Sequence, residues 1–113
     1  MATDPQTIDI ILDHLAEAGA VSAKKMFGEY GIYCDGRFIG VVCNDQLHLK
    51  PTKAGLALAP ELELAPAYPK ATPSMVVLIE RLDEQDWIVE LVRTTAQNVP
   101  APKARGQARD QQR

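Results

Sequence analysis

The chain has 113 residues, 46% of them apolar and 24% charged, with a formal net charge of −3. Such a length holds one small domain with a real core and leaves no room for two, and the composition is that of a soluble globular protein. No apolar run approaches the roughly 20 residues that cross a bilayer, and Met1-Ala2-Thr3-Asp4-Pro5 lacks the basic and apolar regions of a secretory signal. Two cysteines cannot build a disulfide-dense secreted scaffold, so a cytoplasmic location without membrane contact is expected.

The charge is unevenly placed. Residues 1–98 carry eight basic against fourteen acidic side chains, a net −6, whereas the last fifteen residues hold Lys103, Arg105, Arg109 and Arg113 against Asp110 alone. An acidic body is a poor match for a surface that tracks phosphates. Weak nucleic-acid contact, if the chain makes any, is expected from those four tail cations.

The first helix begins at a Thr3 or Asp4 cap with Pro5 in its first turn, and Gly19 stops it. Ile8, Ile11, Leu12 and Leu15 form its apolar stripe, while Asp9, Asp13 and Glu17 form a solvated face. Three alternating strands follow at about 29–34, 37–43 and 46–50, separated by Asp35-Gly36 and Asn44-Asp45. Asp-Gly between alternating apolar residues is a strong hairpin signal. Two-residue type I′ loops set Tyr33 against Phe38, Ile32 against Ile39 and Gly31 against Gly40. In the second hairpin they set Cys43 against Gln46, Val42 against Leu47 and Val41 against His48.

Thr52 caps a short helix over about 52–59, with Leu56 as its apolar contact. Pro60, Pro66, Pro69 and Pro73 make residues 60–73 loop and edge strand. Met75-Val76-Val77-Leu78-Ile79 reads as a strand at the sheet centre or buried on both faces. A last helix runs from about Asp83 to Asn98, with Glu84, Trp87, Ile88, Leu91, Val92 and Thr95 along one side. Residues 100–113, rich in Pro, Ala, Lys, Arg and Gln, have little to bury and are expected to be disordered. The expected fold is α+β in the order α-β-β-β-α-β-β-α, a mostly antiparallel sheet with its helices on one face. The domain occupies 1–99 and the basic tail 100–113.

The residues Met26-Phe27-Gly28, Tyr30-Gly31-Ile32-Tyr33, Asp35-Gly36, Phe38 and Leu47-His48-Leu49-Lys50 resemble the N-terminal domain of the TfoX/Sxy family, named for bacterial competence regulators. Ala67-Tyr68-Pro69 and Leu91-Val92-Arg93-Thr94-Thr95-Ala96 fit the same pattern, so the similarity covers nearly all of residues 8–102. The resemblance implies a secretion-chaperone-like α+β fold and a regulatory role in transcription or competence, and it carries no catalytic residues. Full-length regulators of that family have a second, helical domain, whereas this chain continues into a short basic tail.

Several side chains invite chemistry. Cys34 at a hairpin tip and Cys43 at the far end of the next strand lie roughly 25–30 Å apart along the strand. A disulfide needs Cα atoms within about 7 Å, so two free, partly buried thiols are expected. A reactive Cys34 beside Arg37 is the competing reading, since a cation lowers a thiol pKa. His14 and His48 sit on a helix and a strand with no clustering of metal ligands. Cys43 and His48 are diagonal neighbours without a third group to orient them. The glycines fit neither G-x-G-x-x-G nor a P-loop and are assigned to turns and packing. Lys24, Lys25 and Arg37 form a small basic spot in one reading and a solvated, protective sheet edge in the other.

The feature left over is a second apolar sheet face. Under the register above, Tyr30, Ile32, Ile39 and Val41 point away from the helices, where water should meet polar residues. They are the candidate interface for a homodimer or partner protein. The alternative is a register off by one, in which they are core. The sequence thus points to a non-catalytic regulatory or interaction domain without cofactor or metal. A ligand-binding or enzymatic site around Tyr30, Tyr33 and Cys34, and direct nucleic-acid binding through the tail, are the alternatives.

Overall fold

The computed structural model describes residues 3–26 and 29–99. Helix α1 spans Pro5–Leu15. Its N-cap is Asp4, whose carboxylate accepts from the Gln6 N–H at 2.9 Å. The expected stripe faces inward, with Ile8, Ile11 and Leu15 buried and Leu12 packed beside them. A single 3-10 turn, Ala16–Ala18, carries the chain to Gly19, whose φ of 154° excludes most side chains. Space excludes them as well: a Cβ at Gly19 would lie 2.9 Å from an Asp35 carboxylate oxygen and 3.0 Å from the Cys34 sulfur.

The sheet has six strands, β1 (Val21–Met26), β2 (Glu29–Cys34), β3 (Arg37–Cys43), β4 (Gln46–Leu49), β5 (Leu64–Pro66) and β6 (Pro73–Val77), in the order β1-β2-β3-β4-β6-β5. Every pairing is antiparallel. Strand β1 has no counterpart in the sequence reading, because Val21-Ser22-Ala23-Lys24-Lys25 lacks the run of β-branched and aromatic residues that announces a strand. It lies at the sheet edge, with Lys24 and Lys25 exposed. Charged residues there oppose further strand pairing, which is the protective-edge role. The basic spot is not formed. Both lysines pair toward the start of β2, while Arg37 at the opposite end donates from its guanidinium to the Ala96 carbonyl at 2.8 Å.

Both hairpin turns have positive φ at their two central residues: 53° and 82° at Asp35 and Gly36, 53° and 61° at Asn44 and Asp45. That is the type I′ geometry the sequence predicts. Asp35 also ties the tip to the connection between α1 and β1. Its carboxylate accepts from the Ala20 N–H, and its own N–H donates to the Ala20 carbonyl, each at 2.9 Å.

The register between β2 and β3 differs from the expected one. Tyr33 pairs with Phe38 as predicted, but Ile32 then pairs with Gly40, Gly31 with Val41 and Tyr30 with Val42. Ile39 is the extra residue of a β-bulge, and beyond it every side chain of β3 changes face relative to β2. The second hairpin keeps its predicted pairs, Val41 with His48, Val42 with Leu47 and Cys43 with Gln46.

Helix α2 (Lys53–Leu58) is capped by Thr52, whose hydroxyl accepts from the Gly55 N–H at 2.9 Å. Edge strand β5 comes from the proline-punctuated segment, as expected. Strand β6 runs between β4 and β5 but ends at Val77. Leu78 is exposed and Ile79 opens a 3-10 helix, Ile79–Asp83, so the apolar run does not continue as strand. Helix α3 (Gln85–Gln97) buries Ile88, Leu91, Val92 and Thr95 from the predicted side, and Val89 and Ala96 besides. Arg81 braces its start: the guanidinium lies 3.8 Å from the Trp87 ring and pairs with Glu61 at 2.8 Å and Glu84 at 2.9 Å. The hydrogen bonds from the Arg81 guanidinium hold both carboxyls below the usual range.

The three helices share one core with Ile32, Ile39, Val42, Leu47, Leu49, Met75 and Val77 from a single face of the sheet. The fold is α+β, an open antiparallel sheet with its helices on one side. The tail at 100–113 lies outside the described residues.

Candidate functional site

The bulge decides which side chains remain on the helix-free face. Ile32 and Ile39 are fully buried beneath the helices, and Tyr30 is half-buried and packs against the same core. Val41 lies on the opposite side, paired with His48 and next in sequence to the buried Val42. The four residues expected to form one interface therefore do not share a face. The cause is Gly40. A Cβ on it would come within 2.1 Å of the His48 carbonyl oxygen and 3.0 Å of the Leu49 Cα. The ladder closes tightly there because Lys50 N–H donates to the Ile39 carbonyl at 2.8 Å. The expected pairing of Gly31 with Gly40 is replaced by Gly31 with Val41 for the same reason.

The outer face instead carries Tyr33, Phe38, Val41, Cys43, His48 and Lys50, with Ser74 and Val76 from β6. Tyr33 and Phe38 stack in a tilted pair with centroids 5.4 Å apart. Lys50 extends its ammonium over the Phe38 ring, 5.2 Å from the centroid. Residues 67–72, the connection between β5 and β6, fold against this face and wall a groove of about 810 Å³. Phe38, Val41 and Cys43 lie along its length, Tyr68 and Pro69 along its side, and Glu29 and Asn44 at its far end. Tyr68, which enters the sequence reading only through the family pattern, is 58% exposed. Prolines in a loop between strands are the available signal for this wall. By themselves they indicate only where regular structure stops.

Glu29 is fixed in place. Its carboxylate accepts from the Thr3 hydroxyl and from the Thr3 N–H at 3.1 Å, and Asn44 N–H approaches the other oxygen at 3.4 Å. Thr3 ahead of the α1 cap, the β2 start and the second turn are thereby held together at one end of the groove.

The nucleophile candidates do not gain support from their surroundings. Cys34 and Cys43 are free and buried, and they lie on opposite faces of the sheet. Burial pushes both thiols up, with Asp35 adding to the effect at Cys34 and Glu29 at Cys43. A raised pKa disfavours the thiolate. Arg37, the cation invoked to activate Cys34, is turned to the end of α3. Tyr33 lies across the sheet from Cys34, so Tyr30, Tyr33 and Cys34 do not line one site. Among the described residues no group of three His, Cys, Asp or Glu side chains is placed to hold a metal ion. His14 is 3.9 Å from the exposed Asp83 carboxylate. The tail cations Lys103, Arg105, Arg109 and Arg113 lie outside the described residues.

His48 is the unusual polar group of the outer face. It is 7% exposed and its Nδ1 has no hydrogen-bond partner. Burial pushes its imidazole below the ordinary range, since a charge there would be poorly solvated. The unfolded chain takes up this proton near pH 6.5, and the folded domain takes it up only at lower pH. Its contribution to stability is therefore complete above that pH and is lost as pH falls toward the folded value. The stability gap between the wild type and His48→Leu should shift in favour of the variant between about pH 7.5 and 5 in urea titrations. A gap independent of pH would contradict this account of the imidazole.

An open antiparallel sheet with one face covered by helices and one grooved face, and no converging catalytic groups among the described residues, defines a small α+β domain. Comparison with known sequences agrees on the class: the family model of the TfoX N-terminal domain matches residues 13–99. The chain belongs to the TfoX N-terminal domain family. It is also similar to an uncharacterized 12.7 kDa protein in the trpE 5′ region of Spirochaeta aurantia, with 34% identity over 105 residues, 93% of this chain and 90% of that protein. Among the described residues no helix is long and apolar enough to cross a membrane.

Proposed function

We propose that this domain is a non-catalytic binding module with a regulatory role, and that it engages a protein partner through the groove on its outer sheet face. The observation that carries this reading is the groove itself. It is apolar and aromatic, about 810 Å³ in volume, and set on the face that the helices leave uncovered. Soluble domains seldom leave such a surface without a use. Family membership supports a role in regulating transcription or competence. The buried thiols with raised pKa weigh against the alternative of cysteine chemistry.

The test is comparative capture from the native host. Wild type and the double variant Val41→Asp/Tyr68→Ser are immobilised after matching their thermal midpoints. A protein retained by the wild type and lost from the variant supports the reading. Equal capture by both, or capture by neither, overturns it.

A further inference from the structure

The groove carries an unequal pair of charges. Of the residues along it, only Glu29 and Lys50 are charged. The Glu29 carboxylate is already occupied, because Thr3 donates to it from its hydroxyl and its N–H, and Asn44 from its N–H. Lys50 is half-buried, and its ammonium makes no ion pair among the described residues. It rests over the Phe38 ring instead. The pairing of Leu49 with Met75 sets Ser74 beside Lys50, so the groove wall turns polar there, with Ser74 and Thr72.

The charge of the domain is divided in the same sense. The six strands carry one acid, Glu29, against Lys24, Lys25 and Arg37. The helices and 3-10 turns carry most of the other acids, Asp9 and Asp13 on α1 and Asp86 and Glu90 on α3 among them, with Lys53, Arg81 and Arg93 as their only cations. The core and the sheet lie between that layer and the groove. At physiological salt, exposed charges are largely screened beyond about 8 Å.

Resting on the reading of this groove as a protein-binding surface, we propose that the partner segment it takes is acidic as well as apolar. A large apolar or aromatic side chain of the segment packs against Phe38, Val41 and Tyr68, and a neighbouring aspartate or glutamate pairs with the Lys50 ammonium. A purely apolar segment would strip water from that ammonium and return nothing, which is the cost of burying an unpaired charge. A carboxylate replaces the lost water with a charge-assisted hydrogen bond. The Phe38 ring beneath the ammonium helps to hold it in place for that bond. A basic segment would meet Lys50 as a like charge and Glu29 as a carboxylate already bonded. A nucleic acid would find a single cation in the groove, where tracking phosphates needs a row of them.

Selection from a displayed library of random peptides, with the full chain as bait, tests this. Wild type should enrich peptides in which Asp or Glu stands beside Trp, Phe, Tyr or Leu. Replacing the acid of a selected peptide by its amide should weaken binding about fivefold. That difference should vanish in Lys50→Met, which keeps an unbranched apolar stem, and persist in Lys50→Arg. Enrichment of apolar peptides without an acid, or of basic ones, overturns the proposal. If the double variant Val41→Asp/Tyr68→Ser loses those same peptides, the groove reading stands without it. An acid-to-amide difference that survives in Lys50→Met also overturns it. So does an oligothymidylate that binds more tightly than any selected peptide and is released by Lys50→Met, which would make the occupant a nucleic acid. No enrichment overturns it as well, and capture of a folded partner from the host still decides the groove reading on its own.

Discussion

Ile39→Ala should destabilise the domain by about 3 kcal/mol, the usual cost of emptying a fully buried isoleucine site. Val41→Ala, two residues along the same strand, should cost under about 1 kcal/mol, because Val41 is half-exposed on the grooved face. At roughly 4–8 °C per kcal/mol for a domain of this size, the two variants should differ by more than about 8 °C in thermal midpoint. In an unbulged strand residues 39 and 41 point the same way, and the two substitutions should then cost similar amounts. Equal losses would mean that β2 and β3 pair without the bulge.

Gly40→Ala should be at least as damaging. The added methyl would meet the His48 carbonyl oxygen at 2.1 Å and the Leu49 Cα at 3.0 Å, both main-chain atoms that no side-chain rotation can clear. Relief requires β3 and β4 to part where Lys50 N–H bonds to Ile39. A loss of about 3 kcal/mol or more is expected, above the usual range for overpacking because the obstacle is backbone. That is a large share of a typical stability of about 5–15 kcal/mol. A chemical-denaturation midpoint within error of the wild type would show that the strands separate there at little cost.

Much of this architecture can be read from the residues. The stripe of α1, the capping by Asp4 and Thr52, the two type I′ turns and the inward side of α3 all follow from local spacing and turn chemistry. The bulge does not. Phe38, Ile39, Val41 and Val42 are apolar at both parities, so the alternation that normally reports a change of face carries no information across this stretch. The one local sign is Gly40, since glycine within a strand marks a bulge or a close backbone approach. That single residue moves Ile32 and Ile39 into the core and leaves Val41 alone of the expected four on the open face. Strand β1 is hidden for a different reason. It is held by pairing with β2 and by the tip of the first hairpin, and its own residues have weak strand preference. The groove is illegible in the sequence because one of its walls is a loop, and a loop's path over a sheet depends on what it packs against.

The sheet order has a consequence for how the domain comes together. Four strands, β1 to β4, pair in the order in which they occur, and β5 pairs with its sequence neighbour β6. Only the β4–β6 pairing crosses an intervening segment, the one containing α2 and β5. The strands can thus assemble from short-range closures, which carry small entropic penalties. The helices cannot. Helix α1 opens the described chain and α3 closes it, yet they pack side by side over the same apolar face. Sealing the interior therefore waits for both ends of the domain, and losing either helix uncovers the face that the other alone is too narrow to protect.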